Sequence, residues 1–143
     1  MRKLPSNLII TPDQWSQMVA DVVARSGEEA CGFIIGAGSH ATVIVPITNV
    51  YHDPFRFRME PEEELKAFLL AEGTGEEIIA VYHSHPFGID HPSATDINEL
   101  TFPGVIYLIW FQANNQWTCR AYLMDNETNP SEVSVVISTN VER

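Results

Sequence analysis

The chain has 143 residues, with 8 Lys plus Arg against 19 Asp plus Glu and a formal net charge of −11. That length fits one domain, residues 1–143, large enough to bury an apolar core without disulfide staples. The acidic field repels phosphate backbones and excludes nucleic acid as the expected partner, and no apolar run nears the ~20 residues a membrane-crossing helix needs.

Met1-Arg2-Lys3 precedes the apolar run Leu8-Ile9-Ile10, which is far too short for the core of a secretory signal. The expected compartment is therefore the cytoplasm. Thr11-Pro12-Asp13-Gln14 reads as a helix start, with Thr11 as cap, Pro12 at the first helical position and Gln14 completing a capping box. Trp15, Met18, Val19, Val22 and Val23 then recur at helical spacing to about Arg25. Residues 31–37 and 42–48 read as strands joined by a Gly38-Ser39 turn, with Pro46 pointing to an edge or a bulge. Residues 49–59 form an irregular, aromatic-rich connection.

Pro61 and Glu62-Glu63-Glu64 open a second helix, acids at its positive end, with Leu65, Phe68 and Leu69 expected on its packed face. Gly73-Thr74-Gly75 ends it. Residues 78–82 are a buried strand, and a short helix starting near Ser93 is expected to carry Asp96 and Leu100. Residues 105–111 form a second central strand. Residues 117–124, entered through an Asn114-Asn115 turn, and 133–138 are further strands. The alternation predicts one α/β domain, a mixed sheet flanked by helices. Cys31 and Cys119 read as small core residues, and without a Cys-x-x-Cys pair a thiolate zinc site or redox motif is excluded.

Residues 83–96, His-Ser-His-Pro-Phe-Gly-Ile-Asp-His-Pro-Ser-Ala-Thr-Asp, carry the chemistry. A strand alternates its side chains, so His83 and His85 share a face and can converge on one ion. Pro86, Gly88 and Pro92 can reverse the chain and bring Asp96 back to them. Two imidazoles and a carboxylate are the ligand set of an open zinc site in which water takes the fourth position. Ser93-Ala94-Thr95-Asp96 is also a plain capping box, and the two roles are compatible. A hydrolytic site needs a base for its water. Glu62 to Glu64, Glu76 and Glu77 read as solvated charges, whereas Glu29 lies just before an apolar strand, where a carboxylate could reach the site.

Glu29-Ala30-Cys31-Gly32, followed by Phe33-Ile34-Ile35-Gly36, resembles the Glu-x-Cys-Gly-hydrophobic-Gly signature of the JAMM (MPN-plus, Mov34-type) metalloproteases. His83-x-His85, seven residues, Ser93, two residues and Asp96 match that family's zinc motif without departure. The resemblance covers nearly the whole chain and implies a JAMM/MPN fold of cytidine-deaminase-like architecture. It further implies a Zn2+ ion held by His83, His85 and Asp96, with Glu29 as general base and acid. Ser93 would position water and stabilise the tetrahedral oxyanion. His91 falls outside the pattern and reads as an exposed loop residue.

Only residues 97–102 separate Asp96 from Pro103, which leaves no room for the insertion with which polyubiquitin-cleaving members hold a second ubiquitin. The chain thus resembles the compact prokaryotic type. By that resemblance it is a zinc metallopeptidase acting at the C-terminal tail of a ubiquitin-like or sulfur-carrier protein. A JAMM-like domain of DNA-repair factors is an alternative that the charge opposes. A non-catalytic zinc-binding interaction module is another, though scaffolding members have usually lost motif residues that this chain retains. A zinc deaminase would need a Pro-Cys-x-x-Cys ligand pair, which is absent.

Overall fold

Two nearly all-apolar segments form the centre of the sheet, because both of their faces must be covered. In the computed structural model, which describes residues 4–124 and 129–139, they become neighbouring parallel strands that pair Ala80 with Ile106 and His83 with Ile109. In chain order the elements are β1 (Asn7–Ile10), α1 (Pro12–Ala24), β2 (Cys31–Ala37), β3 (His40–Ile47), α2 (Pro61–Thr74), β4 (Glu77–Ser84), α3 (Ala94–Asn98), β5 (Ile106–Ala113), β6 (Gln116–Leu123) and β7 (Ser131–Ile137). The sheet is mixed and closes on itself as β1-β3-β2-β4-β5-β6-β7. The closure was not legible in sequence. It depends on β1, which pairs in parallel with β7 from Asn7 opposite Ser134 to Ile10 opposite Ile137. The Leu8-Ile9-Ile10 run that is too short for a signal core is therefore a strand, with Leu8 and Ile10 fully buried.

The period of two along the central strands sorts the core into two sides. Ile34, Tyr82, Leu108 and Trp110 pack with Met18 and Val22 of α1, while Phe33, Val81, Tyr107 and Ile109 pack with Met59 and with Ala67 of α2. His83 has the parity of Val81 and so lies on the α2 side. The cap of α1 forms as the sequence indicates, with Thr11 Oγ1 accepting from Gln14 N and Gln14 Oε1 accepting from Thr11 N. At the other end of α1, Asp21 accepts from Tyr82 Oη at 2.6 Å and from Arg25. Arg25 in turn donates to Cys31 O and Ile47 O, tying the helix to β2 and β3. Asn114 and Asn115 both take positive φ, 54° and 64°, in the two-residue hairpin between β5 and β6.

Three expectations need correction. The face of α2 turned to the sheet carries Ala67 and Ala71, 2% and 3% exposed, whereas Leu65 and Leu69 are 59% and 55% exposed. Phe68 is intermediate in role, its ring meeting Phe33 edge-on at 5.5 Å. Small residues let a helix approach the sheet closely, and that geometry overrode the larger apolar payload of the leucines. Leu100 lies beyond α3 rather than within it, packing against the α2-side core. Cys31 is fully buried as expected, but Cys119 is only half-buried; both are free.

Candidate metal centre

His83 is the penultimate residue of β4, pinned by its pairing with Cys31 on one side and Ile109 on the other. His85 lies just past the strand, yet its N–H donates to Trp110 O at 2.8 Å and prolongs the ladder by a step. The alternation therefore survives to His85, and both rings face the same side. Residues 86–92 then turn the chain, with Gly88 at φ 125°, and deliver α3 back to the strand end. Ser93 caps α3. Its hydroxyl accepts from Asp96 N at 3.0 Å, while its N–H donates to Asp96 Oδ2 at 2.9 Å. The capping box thus aims the Asp96 carboxylate at the histidines.

Three donor atoms meet there. His83 Nε2 lies 3.1 Å from Asp96 Oδ2, His85 Nε2 lies 3.0 Å from the same oxygen, and the two nitrogens are 3.2 Å apart. Ligands at zinc distances stand about 3.3 Å from one another around a tetrahedron, so the triangle is of a size to hold one ion. The proton inventory supports a cation as well. His85 Nδ1 is 2.9 Å from Ile89 O, which can only accept, so this nitrogen carries the hydrogen and a neutral ring presents a lone pair at Nε2. A cation within the triangle would draw the Nε2 lone pairs of both rings and the Asp96 carboxylate toward one point. Burial works to raise the Asp96 carboxyl, but the adjacent His83 and His85 rings and the Ser93 N–H hold it well below the usual carboxylate range.

Glu29 joins the cluster from the other side. Ligand atoms of Glu29, His83, His85 and Asp96 all lie within 4.8 Å of one another, and all four residues are buried. Burial, and then the charges of Asp96, Asp53 and Glu99, push the Glu29 carboxyl up to about 9. Its Oε1 has no hydrogen-bond partner among the described residues. A nearby cation would favour the ionised form and create a free base beside the ligand triangle. Ser93 is half-buried, with its own proton directed to no acceptor among the described residues. His91 stays exposed, its ring against Asp90.

A cavity of about 340 Å³ adjoins His83 and Asp96, lined by Tyr51, Phe57, Met59, Phe102 and Tyr107 among others. The 49–59 connection forms one wall, with Phe57 tilted over the His83 ring at 4.8 Å. The opposite wall follows α3, and an ion pair between Arg56 and Glu99 at 3.0 Å joins the two. Sequence reading missed two fully buried polar residues, Asn49 and Ser84. Only the position of Ser84, between the two histidines, was a signal for either.

The description "Prokaryotic homologs of the JAB domain" fits residues 11–133 of this chain. A desampylase of Pyrococcus furiosus is 31% identical over 129 residues, 90% of each chain. A CysO-cysteine peptidase of Mycobacterium tuberculosis is 29% identical over 133 residues, 90% of this chain and 91% of its own. The solution structure of a Desulfitobacterium hafniense protein superposes with a TM-score of 0.84 at 26% identity, covering 94% of this chain and 95% of that one.

Proposed function

The chain belongs to the prokaryotic homologues of the JAB domain, and from that premise we propose that it is a zinc metallopeptidase. Its substrate bond is a peptide or isopeptide bond at the C-terminal tail of a ubiquitin-like or sulfur-carrier protein. The observation that carries this reading is the buried triangle of His83, His85 and Asp96 with Glu29 beside it. The names of the Pyrococcus and Mycobacterium relatives support the reaction class.

His83 Nε2, His85 Nε2 and Asp96 Oδ2 would hold the ion, the ring of His85 fixed by its bond to Ile89 O. A zinc ion held there would supply Lewis acidity toward the scissile carbonyl and would lower the pKa of water to about 7. Glu29 takes the proton of the attacking water at its unpartnered Oε1 and returns it to the leaving amine. Ser93 Oγ donates its free proton to the oxygen that becomes negative in the tetrahedral state, a contribution of about 3 kcal/mol for one such donor. The cavity walled by the 49–59 connection and α3 receives substrate next to the ligands.

The test is mass spectrometry of tail-extended carrier proteins incubated with zinc-loaded protein. Cleavage at the tail by the wild type and its loss in Glu29→Gln, with zinc retained, is the expected result. Zinc-loaded protein that cleaves none of several carriers would sink the substrate assignment.

A further inference from the structure

Glu29 lies outside the regular ladder, two residues before β2 begins. No hydrogen bond from the described residues fixes its Oε1. The aim of the carboxyl therefore depends on how firmly the main chain around residue 29 is held. Three residues hold it, through four hydrogen bonds. Glu29 N donates to Asp53 O at 2.9 Å. Asn49 Nδ2 donates to Glu29 O at 3.0 Å. Ser84 Oγ accepts from Ala30 N at 2.8 Å, while Ser84 N donates back to Ala30 O at 3.0 Å.

Neither side chain is there by default. Ser84 and Asn49 are both fully buried, where a polar group is tolerated only if it is bonded. The Asn49 amide is fully used. Besides Glu29 O it donates to Arg56 O at 3.1 Å, and its Oδ1 accepts from Tyr51 N and Arg58 N. It therefore joins the main chain of Glu29 to the same connection that walls the cavity and lays Phe57 on His83. Ser84 has the complementary position. Its two neighbours carry the imidazoles, and strand alternation turns its own side chain the other way, onto the main chain beside Glu29.

We infer that Ser84 and Asn49 are positioning residues that clamp the main chain of Glu29 against the strand bearing the histidines, an inference that rests on the hydrolytic reading above. Ser84 sets the distance between the proton-handling carboxyl and the ligand nitrogens, and Asn49 sets the same carboxyl relative to the substrate cavity. Neither touches the ligand triangle. Misplacement of a reacting group by ~1 Å can cost on the order of 100-fold in rate, so the effect belongs in kcat rather than in binding.

The experiment compares zinc-loaded wild type, Ser84→Ala and Ser84→Thr by crystallography, zinc content, and kcat and KM on a tail-extended carrier. In Ser84→Ala the Glu29 carboxyl should shift by about 1 Å while His83, His85 and Asp96 stay in place. Zinc content and KM should hold, and kcat should fall about 10- to 100-fold. Ser84→Thr keeps the hydroxyl and should restore both the carboxyl position and kcat. If Ser84→Ala does not fold, Asn49→Ser supports the same comparison from the other side of the clamp. A carboxyl that stays put, one that moves while kcat holds, or a rate loss matched by lost zinc overturns the inference. Should the wild type cleave nothing, the peptidase reading fails on its own, and the carboxyl position alone decides this one.

Discussion

Without a cation in the proposed site, the stability of the protein should depend on pH through Glu29. In the metal-free fold the Glu29 carboxyl is pushed from its ordinary 4.5 up to about 9, first by burial and then by Asp96, Asp53 and Glu99. Between those two values the folded chain keeps a proton that the unfolded chain has released, so stability falls as pH rises. One proton corresponds to about 1.4 kcal/mol per pH unit, and a rise from about pH 6 to about pH 8 should therefore cost about 3 kcal/mol. Glu29→Gln has nothing to release at this position. The assay is urea denaturation of chelator-treated wild type and Glu29→Gln at intervals across that range. The wild type should lose stability relative to the variant by the stated amount, and zinc should diminish the gap because a cation favours the ionised carboxyl. Parallel pH profiles for the two metal-free proteins would refute the reasoning.

Three further outcomes follow from particular contacts. Asp96→Asn removes the anionic member of the proposed ligand triangle, so zinc content by elemental analysis should fall from about one per chain to a small fraction; full retention would remove Asp96 from the proposed ligand set. A Cβ on Gly32 would meet the Tyr82 ring and, at 2.6 Å, Val45 O. Tyr82 is held by Asp21 and Val45 O belongs to a paired strand, so Gly32→Ala should cost about 1–3 kcal/mol in urea denaturation. Leu65→Gln and Leu69→Gln, at exposed positions on α2, should each stay within about 0.5 kcal/mol of the wild type.

The elements with local signals were legible. The capping residues at Thr11 and Ser93 make the bonds that their spacing implies, and the Asn114-Asn115 pair adopts the left-handed conformation a tight hairpin requires. The alternation through residues 78–85 put both histidines on one face because a strand has no other option. The face of α2 was not legible for a definite reason. Positions 65, 68 and 69 and positions 64, 67, 68 and 71 both satisfy helical spacing, and hydropathy alone favours the leucines. Which stripe packs depends on how closely the helix must approach the sheet. Cys119 shows the same gap on a smaller scale, since an apolar neighbourhood in sequence does not measure depth in the fold.

The sequence by itself determined the donor chemistry of residues 83–96, the helix cap that aims Asp96, and the strand parity that pairs the imidazoles, because each depends on neighbours within a few residues. Only the tertiary structure decided the rest. It closed the sheet by laying four residues near one end of the chain beside β7 near the other. It also brought Glu29 to within 4.8 Å of a cluster more than fifty residues away in sequence, with Asn49 and Ser84 holding its main chain from two sides. Such contacts join segments with no shared local pattern, and they exist only once the chain entropy of bringing those segments together has been offset by burial of the core.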